Sequence, residues 1–325
     1  MIDVAAMGEL LIDFTMTGAD ESGYPTMAAH PGGAPANFLA ALAKFGRKTA
    51  FLGKVGADKF GRLLKKTLED AGIGVGGLIL SEDVFTTLAF VTLSESGDRE
   101  FSFARKPGAD TCIRFEEMDL SIIDEAKVFH FGSLSQTDEP ARGATKQAVL
   151  YAKEKGKLIT YDPNLRRPLW KDLEEAKEQM LWGLAQADVV KISDEEVQFL
   201  FGMEPEEGAR HIFETFGVKL VFVTCGAKGC CFINQHASGF VPALAGVSAV
   251  DTTGAGDIFG GSAVHALLCT GLAPQDLEEA QLFEIVTFAC AAAGLSTQAY
   301  GGISSVPEHK RVLAAIGRKE AEHED

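Results

Sequence analysis

The chain has 325 residues, 46% of them hydrophobic and 23% charged, with a formal net charge of −16. That length permits one large α/β domain or two smaller ones, and the balance is that of an ordinary folded protein. Basic residues gather no further than pairs such as Lys65-Lys66 and Arg166-Arg167, so nucleic acid and anionic membrane are not expected as partners.

Residues 2–7 form a strand-like run, with no basic and apolar leader of the signal-peptide type before it. Residues 12–30 read as strand and loop. Helical spacing follows over 36–45, a strand over 50–53 and a helix over 60–71. Gly72-Ile-Gly-Val-Gly-Gly77 is a literal G-x-G-x-x-G. It follows a helix and precedes a strand, the reverse of the dinucleotide-binding context, so it reads as a helix C-cap and turn. Residues 86–103 alternate as two strands around Glu95-Ser-Gly-Asp98, a hairpin signal. Strands are then expected at 128–131, 158–161, 189–192 and 220–224, with helices at 140–155, 172–185 and 206–216. A strand over 245–250 and a buried helix over 258–269 complete the pattern. Such alternation predicts an α/β fold with a largely parallel sheet covered on both faces. The two irregular pieces would make a small β-layer beside it.

No linker, repeat or low-complexity tract divides the chain, and residues 319–325 are a polar tail. The cysteines at 112, 225, 230, 231, 269 and 290 form no C-x-x-C pair, which suits thiols of a reducing compartment. No apolar run reaches the roughly 18 residues of a membrane span. A cytoplasmic protein is expected.

The chemistry concentrates in Asp251-Thr-Thr-Gly-Ala-Gly-Asp257. A turn opening a buried helix would aim the amides of Gly254, Ala255 and Gly256 at one point, an anion site by virtue of unpaired N–H groups and the helix dipole. Asp257 follows directly. An acidic residue in a first turn is favoured on dipole grounds alone; alternatively, it orients a hydroxyl toward a phosphate.

Other candidates stand at helix starts and strand ends. Pro31-Gly-Gly-Ala-Pro-Ala-Asn37 is either a turn with a helix-start Asn or a backbone open to ligand, with Asn37 on its hydroxyls. Asp13 could accept from further hydroxyls. Tyr161-Asp-Pro-Asn-Leu-Arg166 follows a strand, where open parallel sheets bind ligands, and Arg166 could face an anion. The carboxylates of Ser193-Asp-Glu-Glu196 could hold hydrated magnesium or only cap a helix. Thr224-Cys-Gly-Ala-Lys-Gly229 is a glycine turn or a hairpin. A P-loop, a serine elbow and metal-ligand histidine spacing are all absent from the sequence.

Together these residues resemble the PfkB (ribokinase-like) family of carbohydrate kinases over about residues 4–307. Its signatures are Gly32–Asn37 and Asp251–Asp257; Gly8-Glu-Leu-Leu-Ile-Asp13, Phe103-Ala-Arg-Lys-Pro-Gly-Ala-Asp110 and Asp162-Pro-Asn-Leu-Arg-Arg-Pro-Leu-Trp170 resemble fructokinases in particular. The resemblance implies a ribokinase-like (Rossmann-like) α/β sandwich, one domain over 1–318, with a β-lid from about 12–30 and 84–113.

It also implies roles. Asp257 would be the base, with Gly254, Ala255 and Gly256 as anion hole. Asp13, Gly32, Gly33, Asn37, Arg105 and Arg166 would serve the sugar. ATP would lie along Ser193, Thr224, Gly226 and Gly229, with residues 291–296 beside the adenine. Glu196 would organise Mg2+ through water, and Asp251, Thr253 and Ser305 a monovalent cation such as K+. A homodimer through the lid is a further implication. Three positions depart from the family pattern: Ser193 for the Asn of N-x-x-E, Leu39 for a small residue, and Ala104 for a frequent Tyr. The implied activity is ATP-dependent phosphorylation of a primary hydroxyl, fructose to fructose 6-phosphate. A 2-keto-3-deoxygluconate kinase is the nearest rival, and a non-catalytic sugar-binding regulator is an alternative of another class.

Overall fold

The computed structural model describes residues 1–93 and 99–317. Among the described residues, nine strands form one sheet in the order β13-β12-β11-β10-β9-β8-β1-β4-β5. They are β1 (Ile2–Met7), β4 (Thr49–Gly56), β5 (Ile73–Ser81), β8 (Ala126–Gly132), β9 (Leu158–Asp162), β10 (Val189–Ser193), β11 (Leu220–Thr224), β12 (Gly229–Ile233) and β13 (Ser238–Pro242). Pairing is parallel from β5 through β11; β12 and β13 add an antiparallel edge.

Val4, Ala5, Ala6 and Met7 of β1 are all fully buried, because helices cover both faces and a strand so placed must be apolar throughout. Val4 and Ala6 face a core shared with α1 (Ala34–Lys44), α2 (Lys59–Asp70), α8 (Ala255–Thr270), α9 (Glu279–Ser296) and α10 (His309–Ala315). Ala5 and Met7 face the core under α3 (Ser121–Glu125), α4 (Ala141–Glu154), α5 (Leu173–Gln186), α6 (Asp194–Phe201) and α7 (Pro205–Phe216). Helix α8 is apolar on all sides because it lies between the sheet, α1 and α9. It crosses α1 closely. A Cβ at Gly261 would strike the Phe38 carbonyl and lie 2.9 Å from the Ala41 methyl.

The second sheet has the order β3-β2-β6-β7, from β2 (Leu11–Ala19), β3 (Pro25–Gly32), β6 (Leu88–Leu93) and β7 (Arg99–Ala104). Phe14 of β2 stacks on Phe90 at 5.4 Å and meets Phe60 of α2 edge-on at 5.6 Å. No helix among the described residues is long and apolar enough to cross a membrane.

Two local expectations change and one open alternative is resolved. Residues 245–250 are loop, because the chain leaves the sheet after β13; the amides of Val250 and Asp251 donate instead to the Thr297 carbonyl, at 2.7 and 3.0 Å. Gly72 does end α2 with φ of 76°, but the glycines at 74, 76 and 77 lie inside β5. Of the two readings of 224–229, the hairpin holds, closed by Cys225 N–H to Gly229 O at 2.8 Å. The expected turn at 95–98 and the tail at 319–325 lie outside the described residues.

Asp58 caps α2 and binds the start of the crossing to the second sheet. It accepts from the amides of Phe60 and Gly61 at 2.8 and 2.9 Å, and from the Thr86 amide and hydroxyl at 2.8 and 3.0 Å. Asp58→Ala is expected to cost about 2 kcal/mol, read as a lowered urea midpoint with unchanged slope; an unaltered midpoint would contradict this linkage.

Candidate active site

The parallel strands end on one edge of the main sheet, and the candidate residues collect there, as a parallel sheet dictates. At its centre is Asp257, in the first turn of α8 and 8% exposed. The α1–α8 crossing brings Asn37 to it, and Asn37 Nδ2 donates to Asp257 Oδ2 at 2.8 Å. Asn37 Oδ1 is buried with no hydrogen-bond partner in the protein. Gly254 is the N-cap of α8 in the left-handed region, φ 76°. A side chain there would be strained, and its Cβ would stand 2.8 Å from Gly302 Cα and 3.1 Å from Asn37 Nδ2. The Ala255 amide donates to the Thr252 carbonyl at 3.2 Å. The helix start has no side-chain cap, so the amides of Gly256 and Asp257 head its first turn.

Burial pushes the Asp257 carboxyl above its ordinary range, opposed by the Asn37 hydrogen bond and by the charges of Lys191 and Arg166. Asp13, on β2 of the second sheet, is pushed up to about 6 by burial, with Arg166 opposing and Asp251 and Asp257 adding. A Cβ at Gly32 would strike the Asp13 carboxylate, and one at Gly33 the Glu9 carbonyl. The paired glycines therefore let β3 and α1 close onto β1 and β2. Glu9 holds the start of α1, accepting from the Ala34 amide at 2.8 Å.

Arg166 is exposed, donates to the Leu165 carbonyl at 3.2 Å, and acts on Asp13 and Asp257 through its charge. Glu196 joins two strand ends. Its Oε1 accepts from the Leu165 amide at 2.6 Å, and its Oε2 from the Ser193 amide and hydroxyl at 2.8 and 2.9 Å. Ser193 and Glu196 thus form a reciprocal capping box on α6. Serine in place of asparagine preserves the N-cap.

Arg105 is directed to other partners. It is 5% exposed and its guanidinium binds Asp110 at 2.7 Å, Thr137 Oγ1 at 2.9 Å and the Leu134 carbonyl at 2.8 Å. These contacts pin the chain leaving β7 to the body. Ala104 is exposed at the end of β7, while Leu39 is fully buried in the core.

Asp251 opens the segment that leads into Gly254. Its Oδ1 accepts from the Thr253 amide and hydroxyl at 3.0 and 2.7 Å, its Oδ2 from the Gly301 amide at 3.0 Å. Ser305 is buried, donating to the Gly302 carbonyl at 3.0 Å. Thr224 ends β11 beside Ser193 of β10, and Gly226 and Gly229 form the exposed tip and the buried base of the hairpin. On α9, Ala291, Ala292 and Ser296 are buried, and Gly294 faces Leu244 with a would-be Cβ at 3.2 Å. Among the described residues, no three acidic, histidine or cysteine side chains converge as a metal cage.

Lys191 belongs to none of the motifs read from the sequence, and Asp162 has no assigned role beyond its place in the 162–170 segment. Lys191 of β10 reaches under α8 and pairs with Asp162 Oδ2 at 3.0 Å, while Asp162 Oδ1 is buried without a protein partner. The available signal was a lysine in the middle of a five-residue strand otherwise apolar as far as its closing serine.

The sequence profile described as pfkB family carbohydrate kinase matches residues 1–309. Fructokinase-1 of Zea mays is 41% identical over 316 residues, 96% of this chain and 97% of that protein. Fructokinase-2 of Solanum lycopersicum is 41% identical over 319 residues, 96% of this chain and 95% of that protein. The crystal structure of fructokinase from Vibrio cholerae O395, in its fructose, ADP and calcium ion bound form, superposes with a TM-score of 0.84 at 31% identity, covering 97% of this chain and 99% of that one. That of fructokinase from Xylella fastidiosa with bound ATP gives a TM-score of 0.87 at 28% identity, covering 98% of this chain and 99% of that one. The match spans the whole arrangement of sheets, strand-end loops and α8, and the chain belongs to the PfkB family of carbohydrate kinases.

Proposed function

We propose that the chain is an ATP-dependent fructokinase that makes fructose 6-phosphate, with Asp257 as the group that orients and finally accepts the hydroxyl proton. The observation that carries this reading is the buried Asp257 carboxylate at the start of α8, held by Asn37 on one oxygen. Its other oxygen is left to face a hydroxyl. Aspartate is too weak a base to ionise an alcohol in advance, but in a loose phosphoryl-transfer transition state the proton moves late, and position counts for more than basicity. The first-turn amides and the dipole of α8 stabilise charge on the transferring group.

Asp13, Gly32, Gly33 and Asn37 form the sugar side, with Arg166 beside it, and Asn37 serves it by holding the Asp257 carboxylate at 2.8 Å. Arg105 supports this side from its buried ion pair. The second sheet serves as the lid, excluding water that would otherwise consume ATP. The nucleotide lies along Ser193, Thr224, Gly226 and Gly229 toward the end of α9. Mg2+ bound with the nucleotide would neutralise phosphate charge, and Glu196 would hold its water shell. A carboxylate offers about four lone-pair sites, so the bonds from Leu165 and Ser193 leave room for a water. Asp251, Thr253 and Ser305, with neighbouring carbonyls, suit a hard monovalent cation such as K+. The setting proposed is cytoplasmic, and the assembly a homodimer through the second sheet, where Met16 and Tyr24 are 37% and 70% exposed.

A panel of sugars with ATP and magnesium tests the substrate. Fructose is expected to turn over fastest; preference for 2-keto-3-deoxygluconate with no fructose activity would refute the assignment. Asp257→Asn should lower kcat by about 1,000-fold or more with fructose binding retained in calorimetry, and an unchanged kcat would remove Asp257 from its role.

The pH profile follows from the same carboxylate. Asp257 must be ionised, and burial places its pKa above the ordinary value of 3.8. Activity should therefore fall on acidification at a pH above the usual aspartate range. Asn37→Ala removes a bond to the ionised form and should move that acid limb further up in kcat profiles. A limb that stays in place would show that the Asn37 bond does not tune the base.

A further inference from the structure

Lys191 is the residue of this molecule that packing alone explains least. Its neighbours Val190 and Ile192 are fully buried, yet it places an ammonium inside the body, its side chain 12% exposed. A buried charge is costly unless paired, and an apolar pair of similar volume is often no less stable. Asp162 pairs with it at 3.0 Å. Burial works against the charged form of Lys191, but the carboxylates of Asp162, Glu196 and Asp257 outweigh it and keep the amine protonated.

The position of the ammonium is as specific as its charge. A Cβ built on Gly256 would stand 2.9 Å from Lys191 Nζ and 3.5 Å from its Cε. Gly256 has an ordinary backbone φ, unlike Gly254, so its lack of a side chain serves the approach of Lys191 to the first turn of α8. The charge balance gives this approach a purpose. Asp13, Asp162, Glu196 and Asp257 surround a site that must admit phosphate, and Arg166 opposes Asp13 and Asp257 from the exposed side. Nearby His130 does not help, since burial and Lys191 itself push it down to about 3 and leave it neutral.

We infer that Lys191 is a positioning residue of phosphoryl transfer: locked by Asp162 beneath Gly256, its ammonium supplies fixed positive charge behind the α8 amides where negative charge collects. A charge already in place costs no reorganisation when the transition state forms. The inference deepens the kinase reading and rests on it; fructose turnover by the unaltered protein tests that reading first and separately.

The test compares Lys191→Met, the charge-neutral pair Lys191→Met with Asp162→Asn, Gly256→Ala, and Gly256→Ala combined with Lys191→Met, with steady-state kinetics and thermal melts for each. The neutral pair should fold with a melting temperature near that of the unaltered protein. It should lose about 100-fold or more in kcat while KM for fructose changes less than about threefold. Gly256→Ala should impair kcat strongly where it meets the ammonium, but add little on the Lys191→Met background, whose side chain lacks the clashing atom. A folded neutral pair with kcat within about threefold of the unaltered protein, or additive losses in the Gly256–Lys191 cycle, would overturn the inference. Failure of Lys191→Met and of the charge-neutral pair to fold would mark the ion pair as structural and overturn it equally.

Discussion

The hydrogen bond from Asn37 to Asp257 is the contact on which the rest of the arrangement depends. It joins the first turn of α1 to the first turn of α8, and so the glycine pair under the second sheet to the glycine turn at the helix start. A carboxylate this buried is pushed toward its neutral form, in which it could not receive a proton. One amide donor on one oxygen counters that push and fixes the orientation of the other. The small contacts around it, Gly261 against Phe38 and Gly254 against Asn37, allow the two helices to come close enough. Packing in the core and chemistry at the site are therefore the same constraint seen at two depths.

Much of the fold is legible along the chain because parallel strands between two helical layers must be apolar throughout. The runs at 128–131, 158–161, 189–192 and 220–224 coincide with β8 to β11 for that reason. Where a strand has only one covered face, or none, the signal weakens. The run at 245–250 alternates convincingly but has no strand to pair with, and its last amides turn to Thr297. The glycines at 74, 76 and 77 suggest a turn, yet β5 is an edge strand that tolerates them. The antiparallel edge made by β12 and β13 is hidden behind the ambiguous hairpin at 224–229.

The site divides along similar lines. Gly254, Asp257 and Asn37 are legible because their spacing in short motifs encodes a local shape. Lys191 and Asp162 stand 29 residues apart and meet only because β9 and β10 are neighbours in register. Nothing local records that meeting beyond an odd lysine in an apolar strand. Glu196 is an intermediate case: its capping box with Ser193 is local, but its bond to the Leu165 amide is not. That second bond ties the loop carrying Arg166 to the start of α6, so a substitution at Glu196 would disturb that loop as well as the helix start.

The proposed reaction needs a hydroxyl held at Asp257 and a phosphoryl group delivered to it beneath the second sheet. The most direct measurement is the identity of the product formed from fructose, ATP and magnesium, read by phosphorus and carbon NMR. A single ester on the C6 oxygen, formed in step with ADP, is the expected result. Release of inorganic phosphate without a sugar ester, or an ester on a different hydroxyl, would contradict it.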